Sequence, residues 1–167
     1  VSRVRFGGGI ALVPRATDLR ELTEQVLCEF EDSRPRFRVE LLGDAAGTWD
    51  ADRLLQVVSN LVGNAVQHST EGSPIRIDIQ GEHADTIGFR VRNLGPAIPD
   101  ELRGVLFEPF RGSEDRKADR LGLGLYIARE IVVAHGGTLS FESSDESGTT
   151  FVVSLPRRTA AADTAAS

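Results

Sequence analysis

Three pairs of short stretches that alternate apolar and polar residues, spaced by amphipathic segments, restrict this chain to a narrow set of folds. The pairs are "RFRVELL" with "GTW", "SPIRIDIQGE" with "TIGFRVRN", and "TLSFESS" with "TTFVVSLP". A period of two puts every second side chain on one face of a strand, so each stretch offers one face to a core and one to water. Short polar links inside the second and third pairs predict hairpins. The segments between the pairs follow the helical period instead. Asp18 and Glu21 form a capping-box-like start, after which Leu19, Leu22, Val26, Leu27 and Phe30 fall on one face. A second helix, capped near Asp50, is apolar at Leu54, Leu55, Val58, Leu61, Val62, Ala65 and Val66. A third runs from Gly124 to His135. Helices interleaved with strand pairs predict an α+β fold, a two-layer sandwich whose mixed, mostly antiparallel sheet carries helices on one face.

Length and charge set outer bounds. A chain of 167 residues suits one domain with tails and is long enough to bury a core. Lysine plus arginine number 19 against 25 acidic residues, a net charge of −6, which argues against a general binder of nucleic acid or membrane surfaces. No run of about 18 apolar residues is present. The single cysteine, Cys28, lies in a helical pattern, reads as a part-buried thiol and points to a reducing compartment. The chain starts at Val1, and "VSRVRFGGG" reads as the last turns of a helix and its glycine terminator, leading through a linker to Pro14. Residues 1–17 are therefore expected to be the remnant of a preceding helix, residues 18–156 the domain, and residues 157–167 a disordered tail.

Two features suggest chemistry. "RLGLGLYIAREIVVAHGG" places Gly122 and Gly124 directly before an apolar helical run, and a helix that begins on glycines exposes unpaired N–H groups to an anion such as phosphate. A dinucleotide-binding turn needs a strand before Gly122, but residues 111–120 are polar and charged; no phosphate-loop signature with its lysine occurs either. The preceding stretch, Leu94 to Leu121, is long and carries Arg111, Arg116, Lys117 and Arg120, which suits a lid over an anion as well as a solvated loop. On the second helix, Asn60 and Asn64 are four residues apart and share a face at the edge of the apolar stripe. Such amides either bond to nearby backbone or offer oxygen to Mg²⁺.

Taken in order, "NLVGNAVQHS", "NLGPAIP", "LFEPF", "GLGLYIAREIVVAHGG" and "GTTF" resemble the asparagine, glycine and phenylalanine boxes of the catalytic ATP-binding domain of sensor histidine kinases, within the GHKL superfamily. The N-x-G-P-x-I form is similar to that of hybrid and phytochrome-like kinases. The resemblance implies a Bergerat-type sandwich with a long ATP lid, binding ATP and Mg²⁺. It implies that Asn64 ligates the metal with Asn60 one turn earlier, and that Asn93 reads the adenine amine with Gly95 beneath the base. Ile98, Gln67 and His68 are placed around the nucleotide, and Phe107, Phe110 and Arg111 in the lid. Gly122, Leu123, Gly124 and Leu125 form the phosphate turn, and Thr149 holds the base through water.

The departures are as informative. Hydrolytic relatives carry a glutamate where this chain has Asn60, and an amide accepts no proton near neutral pH, so poor ATPase activity is expected. Gln67 replaces a common phosphate-binding lysine, for which Arg111 or Arg120 can compensate. His68 suits either a place near phosphate or core packing, His83 is expected to be inert, and His135 sits at a helix end where a cation suits the dipole. No residue is a convincing phosphoacceptor, so the acceptor histidine is expected on missing upstream dimerisation helices. The expected partners are those helices and a response-regulator receiver domain, with no nucleic acid. This fragment should be a monomer and the full protein a cytoplasmic homodimer. A nucleotide-binding regulatory module without kinase activity is the alternative.

Overall fold

A computed structural model describes residues 4–6, 10–109 and 116–159. Its main sheet has five strands: β4 (Phe37–Gly43), β6 (Ile75–Gly81), β7 (Thr86–Asn93), β8 (Thr138–Ser144) and β9 (Gly148–Pro156), in the order β4-β6-β7-β9-β8. Only the β4–β6 pair is parallel, because β4 reaches its neighbour through the intervening helix rather than through a turn. Alternation decides the faces. Ile75, Ile77 and Ile79 are buried beside Phe89, Val91, Phe151, Val153 and Leu155, while Arg38, Arg76 and Arg92 lie abreast on the opposite face.

Against the apolar face pack α1 (Leu19–Leu27), α2 (Ala51–His68) and α4 (Arg116–Ala134), with the one-turn α3 (Asp100–Arg103) beside the sheet end. Asp18 caps α1 by accepting from the Glu21 N–H at 3.0 Å, and Asp50 caps α2 from the Arg53 N–H at 3.1 Å. The apolar stripe of α2 is buried at Leu54, Val57, Val58, Leu61, Val62 and Ala65. Burying each larger side chain is worth about 1.5–3 kcal/mol. That is ample to hold one helix on a sheet.

The structure departs from the sequence reading in six places. Val4–Phe6 is a strand, β1, paired antiparallel with β2 (Ile10–Leu12), not the end of a helix; alternating "VRF" and "IAL" satisfy each other's backbone. Ala46–Trp49, β5, pairs with β3 (Arg15–Asp18) in a separate small sheet rather than returning along β4. Helix α4 begins at Arg116 and runs through Gly122 and Gly124, so the glycines are inside a helix rather than at its start. The residues before them are mostly good helix formers, and their propensity outweighs a glycine cost of about 1 kcal/mol each. Cys28 is exposed, with the Arg34 guanidinium 3.6 Å from its sulfur.

The fifth and sixth departures are the segment after β9 and His135. Residues Arg157–Thr159 do not belong to a loose tail. The Arg157 guanidinium donates to the carbonyls of His83, Asp44, Ala46 and Gly81 at 2.7–3.0 Å. Thr159 bonds twice to the Thr48 carbonyl. Residues 160–167 lie outside the described residues. His135, read as a helix-end cation, is fully buried. Its Nδ1–H donates to the Ile131 carbonyl at 2.8 Å and its Nε2 accepts from the Asp50 N–H at 3.0 Å, which is the bonding pattern of a neutral ring. Burial pushes its pKa below the ordinary histidine value, and the Ile131 carbonyl and Asp50 only partly offset that. Asp50 also accepts from the Val13 N–H at 2.9 Å, so one carboxylate ties the incoming chain to α2.

Candidate nucleotide site

Helices α2 and α4 lie side by side and meet through the two asparagines' end of the stripe. Asn60 Nδ2 donates to the Gly124 carbonyl at 3.0 Å, fixing the two helices against each other. A Cβ at Gly124 would lie an ordinary 3.7 Å from Asn60, so packing alone does not demand glycine there. Asn64 differs from Asn60. It is 6% exposed, and among the described residues its amide has no hydrogen-bond partner. Its amide is not sealed from solvent, so its hydrogen-bonding valences are open to a ligand arriving from that side. Gln67 and His68 are exposed on the last turn of α2, which rules out core packing for His68.

Beyond α2, the strand end and its following turn are clamped from two sides. Asn93 is 2% exposed, lies directly across from Thr149 and points its Nδ2 at the Leu94 carbonyl, 3.4 Å away. Gly95 has φ of +156°, and a Cβ there would stand 2.6 Å from the His68 carbonyl oxygen. Only glycine fits that approach. The turn is thereby seated on the loop after α2, an arrangement closed by the Thr70 N–H donating to the Leu94 carbonyl at 2.7 Å. Arg36 braces that loop through the Ser73 and Thr70 carbonyls and the Ser69 hydroxyl.

On the other side, Ile98 N–H donates to Ser143 Oγ at 2.9 Å and Ala97 N–H donates to Asp145 at 2.9 Å. Arg103 reaches both the Ile98 and Ser143 carbonyls, at 3.2 and 2.8 Å. Arg36, Arg103, Ser143 and Asp145 were not singled out from the sequence. They carry no periodic or motif signal, since most of their partners are backbone atoms 34–48 residues away.

The remaining candidates divide. Phe107 packs edge-on against Phe141 and Phe151, with centroids 5.9 and 6.2 Å apart. Leu123 is 40% exposed, whereas Leu125 is 1% exposed and part of the core, leaving only its backbone for a ligand. Gly122 lies in α4. Phe110 and Arg111 lie outside the described residues. Together, Asn60 and Asn64 on α2, Asn93 at the end of β7, Gly95 and Ile98 in the β7–α3 turn, Thr149 on β9 and the glycine-bearing part of α4 make up the candidate site. Among the described residues no cluster of three or more His, Cys, Asp or Glu could hold a metal unaided. An amide oxygen such as that of Asn64 is a donor a hard cation accepts when phosphate and water supply its remaining ligands.

Known proteins resemble this chain in sequence and in fold. The profile of the histidine kinase-, DNA gyrase B- and HSP90-like ATPases matches residues 49–159, which includes every described element of this site. The sensor protein VanSC of Enterococcus gallinarum is 36% identical over 155 residues, covering 89% of this chain but only 42% of that protein. The solved catalytic domain of histidine kinase ThkA is 30% identical with a TM-score of 0.75, covering 87% of this chain and 98% of that one. A second ThkA structure, in complex with the response regulator TrrA, has a TM-score of 0.68 at 31% identity, covering 88% of this chain and 42% of that one. Since the family profile spans most of the chain and the fold is that of a kinase catalytic domain, this chain belongs to the histidine kinase-, DNA gyrase B- and HSP90-like ATPase family.

Proposed function

We propose that this domain binds Mg–ATP between α2, the Asn93–Ile98 turn and α4, and presents the γ-phosphate to a histidine outside this chain. One observation carries the reading: Asn64 is buried with no protein partner among the described residues, one turn from an asparagine whose amide is already occupied. Asn64 Oδ1 holds the cation, which supplies positive charge to the phosphates. Asn93 and Thr149, side by side on β7 and β9, bond the base, with Gly95 and Ile98 beneath it. Gly122, Leu123, Gly124 and Leu125 line the phosphate side on α4, where the glycines leave room for close approach, and Gln67, His68, Phe107, Phe110 and Arg111 line or close the site.

The chemistry left to these residues is binding and orientation. Asn60 spends its amide on Gly124 and cannot take a proton from water, so the domain holds ATP without hydrolysing it efficiently. The proton of the attacking imidazole leaves through a group on the acceptor's side. VanSC is a sensor protein and ThkA is solved in complex with a response regulator, which supports a response-regulator partner for this chain.

Titration calorimetry with ATP and Mg²⁺ tests the site. Micromolar to sub-millimolar binding by the wild type, weakened at least tenfold in Asn64→Ala and by chelation of Mg²⁺, is the expected result. Equal affinity in the Asn64→Ala variant would place the cation elsewhere. Phosphorylation of a histidine on added upstream helices separates a kinase from a nucleotide-gated docking module.

A further inference from the structure

We propose that Ser143 is a positioning residue that sets the direction of the Thr149 hydroxyl toward the bound nucleotide. This rests on the nucleotide-site reading above. Ser143 Oγ accepts the Ile98 N–H at 2.9 Å and lies 2.7 Å from Thr149 Oγ1. A hydroxyl has one proton and two acceptor positions. Accepting from Ile98 polarises the Ser143 O–H and makes it the better donor of the pair, because hydrogen bonds in a chain strengthen one another. Its proton therefore goes to Thr149 Oγ1, and the Thr149 proton is turned away from Ser143. Thr149 is 6% exposed and sits opposite Asn93, so the freed proton is offered beside the Asn93 amide. The chain of bonds runs Ile98 N–H, Ser143 O–H, Thr149 O–H, ligand.

The relay couples two parts of the site. Ile98 lies in the turn beneath the base and Thr149 in the strand beside it, and Arg103 holds Ile98 and Ser143 by their carbonyls. A shift of the Gly95–Ile98 turn therefore changes not only the floor of the site but also whether Thr149 donates or accepts. With the relay intact, Thr149 presents a donor to an acceptor on the base or to a water held there.

A double-substitution cycle on the 167-residue chain tests this, using ATP with Mg²⁺ as the probe and thermal melting as a check on folding. Ser143→Ala should weaken ATP binding about five- to tenfold in the wild-type background and less than about twofold in the Thr149→Val background. Ser143→Thr, which keeps the hydroxyl, should restore most of the affinity. A packing role alone would give the same loss in both backgrounds, and that result would overturn the relay; so would unchanged affinity in Ser143→Ala. If the wild type fails to bind ATP, the nucleotide site itself falls, an outcome distinct from wild-type binding that ignores Ser143. Should Ser143→Ala melt far below the wild type, the affinity of the Thr variant decides, because a lost rescue at wild-type stability also overturns the proposal.

Discussion

Single side chains at this site differ mainly in which hydrogen-bonding valences the protein leaves unused. Asn60 and Asn64 are chemically identical and four residues apart, yet one is consumed by Gly124 and the other meets no described partner. Asn93 adds a choice that a carboxylate would not have. A carboxylate only accepts, which suits an exocyclic amine and repels a carbonyl oxygen, whereas an amide can turn and donate. Asn93→Asp should therefore raise ATP affinity several-fold and lower GTP affinity, read by calorimetry with both nucleotides. An unchanged ratio between them would show that Asn93 does not discriminate the base. The identity of these residues was visible in the sequence because each sits in a short motif. Ser143 was not visible, since its importance comes from touching Ile98 and Thr149 rather than from its neighbours in the chain.

At the level of elements, the helix pair α2–α4 is fastened at both ends. Asn60 joins Gly124 at the site, and Asp50 joins His135 at the far end. Gly124, inside α4, costs helix stability without being required by packing, which is the pattern expected when close approach of a ligand matters more than stability. Gly124→Ala should raise the melting temperature, equivalent to about 0.5–1 kcal/mol, while weakening ATP binding. A gain in both would mean the glycine serves no ligand. The end of β9 makes the opposite trade. Arg157 donates to four carbonyls from two separate stretches, residues 44–46 and 81–83, so Arg157→Ala should cost about 2–4 kcal/mol in urea unfolding. Removing residues after Pro156 should cost at least as much.

For the molecule as a whole, pH acts through the buried His135. Its neutral form is held in the fold and its pKa lies below that of the unfolded chain, so unfolding takes up a proton below about pH 6.5. Stability from this group is complete above that value and is lost as the pH falls toward the folded pKa, by at most about 1.4 kcal/mol per pH unit. Denaturant melts between pH 5 and 8 should show that slope in the wild type and a shallower one in His135→Gln; parallel curves would assign the acid loss to carboxylates instead. The amino-acid sequence alone determined the alternating strands, the capped amphipathic helices, the layered class of the fold and the motif residues, because those depend on periods and caps a few residues long. Only the tertiary structure decided that β4 runs parallel to β6, that "GTW" pairs with Arg15–Asp18, that α4 runs through its glycines, that Arg157 is tied to four carbonyls and that His135 is buried against Asp50. Each of these depends on backbone groups brought together from distant parts of the chain, and local sequence carries no record of which carbonyl a side chain will meet.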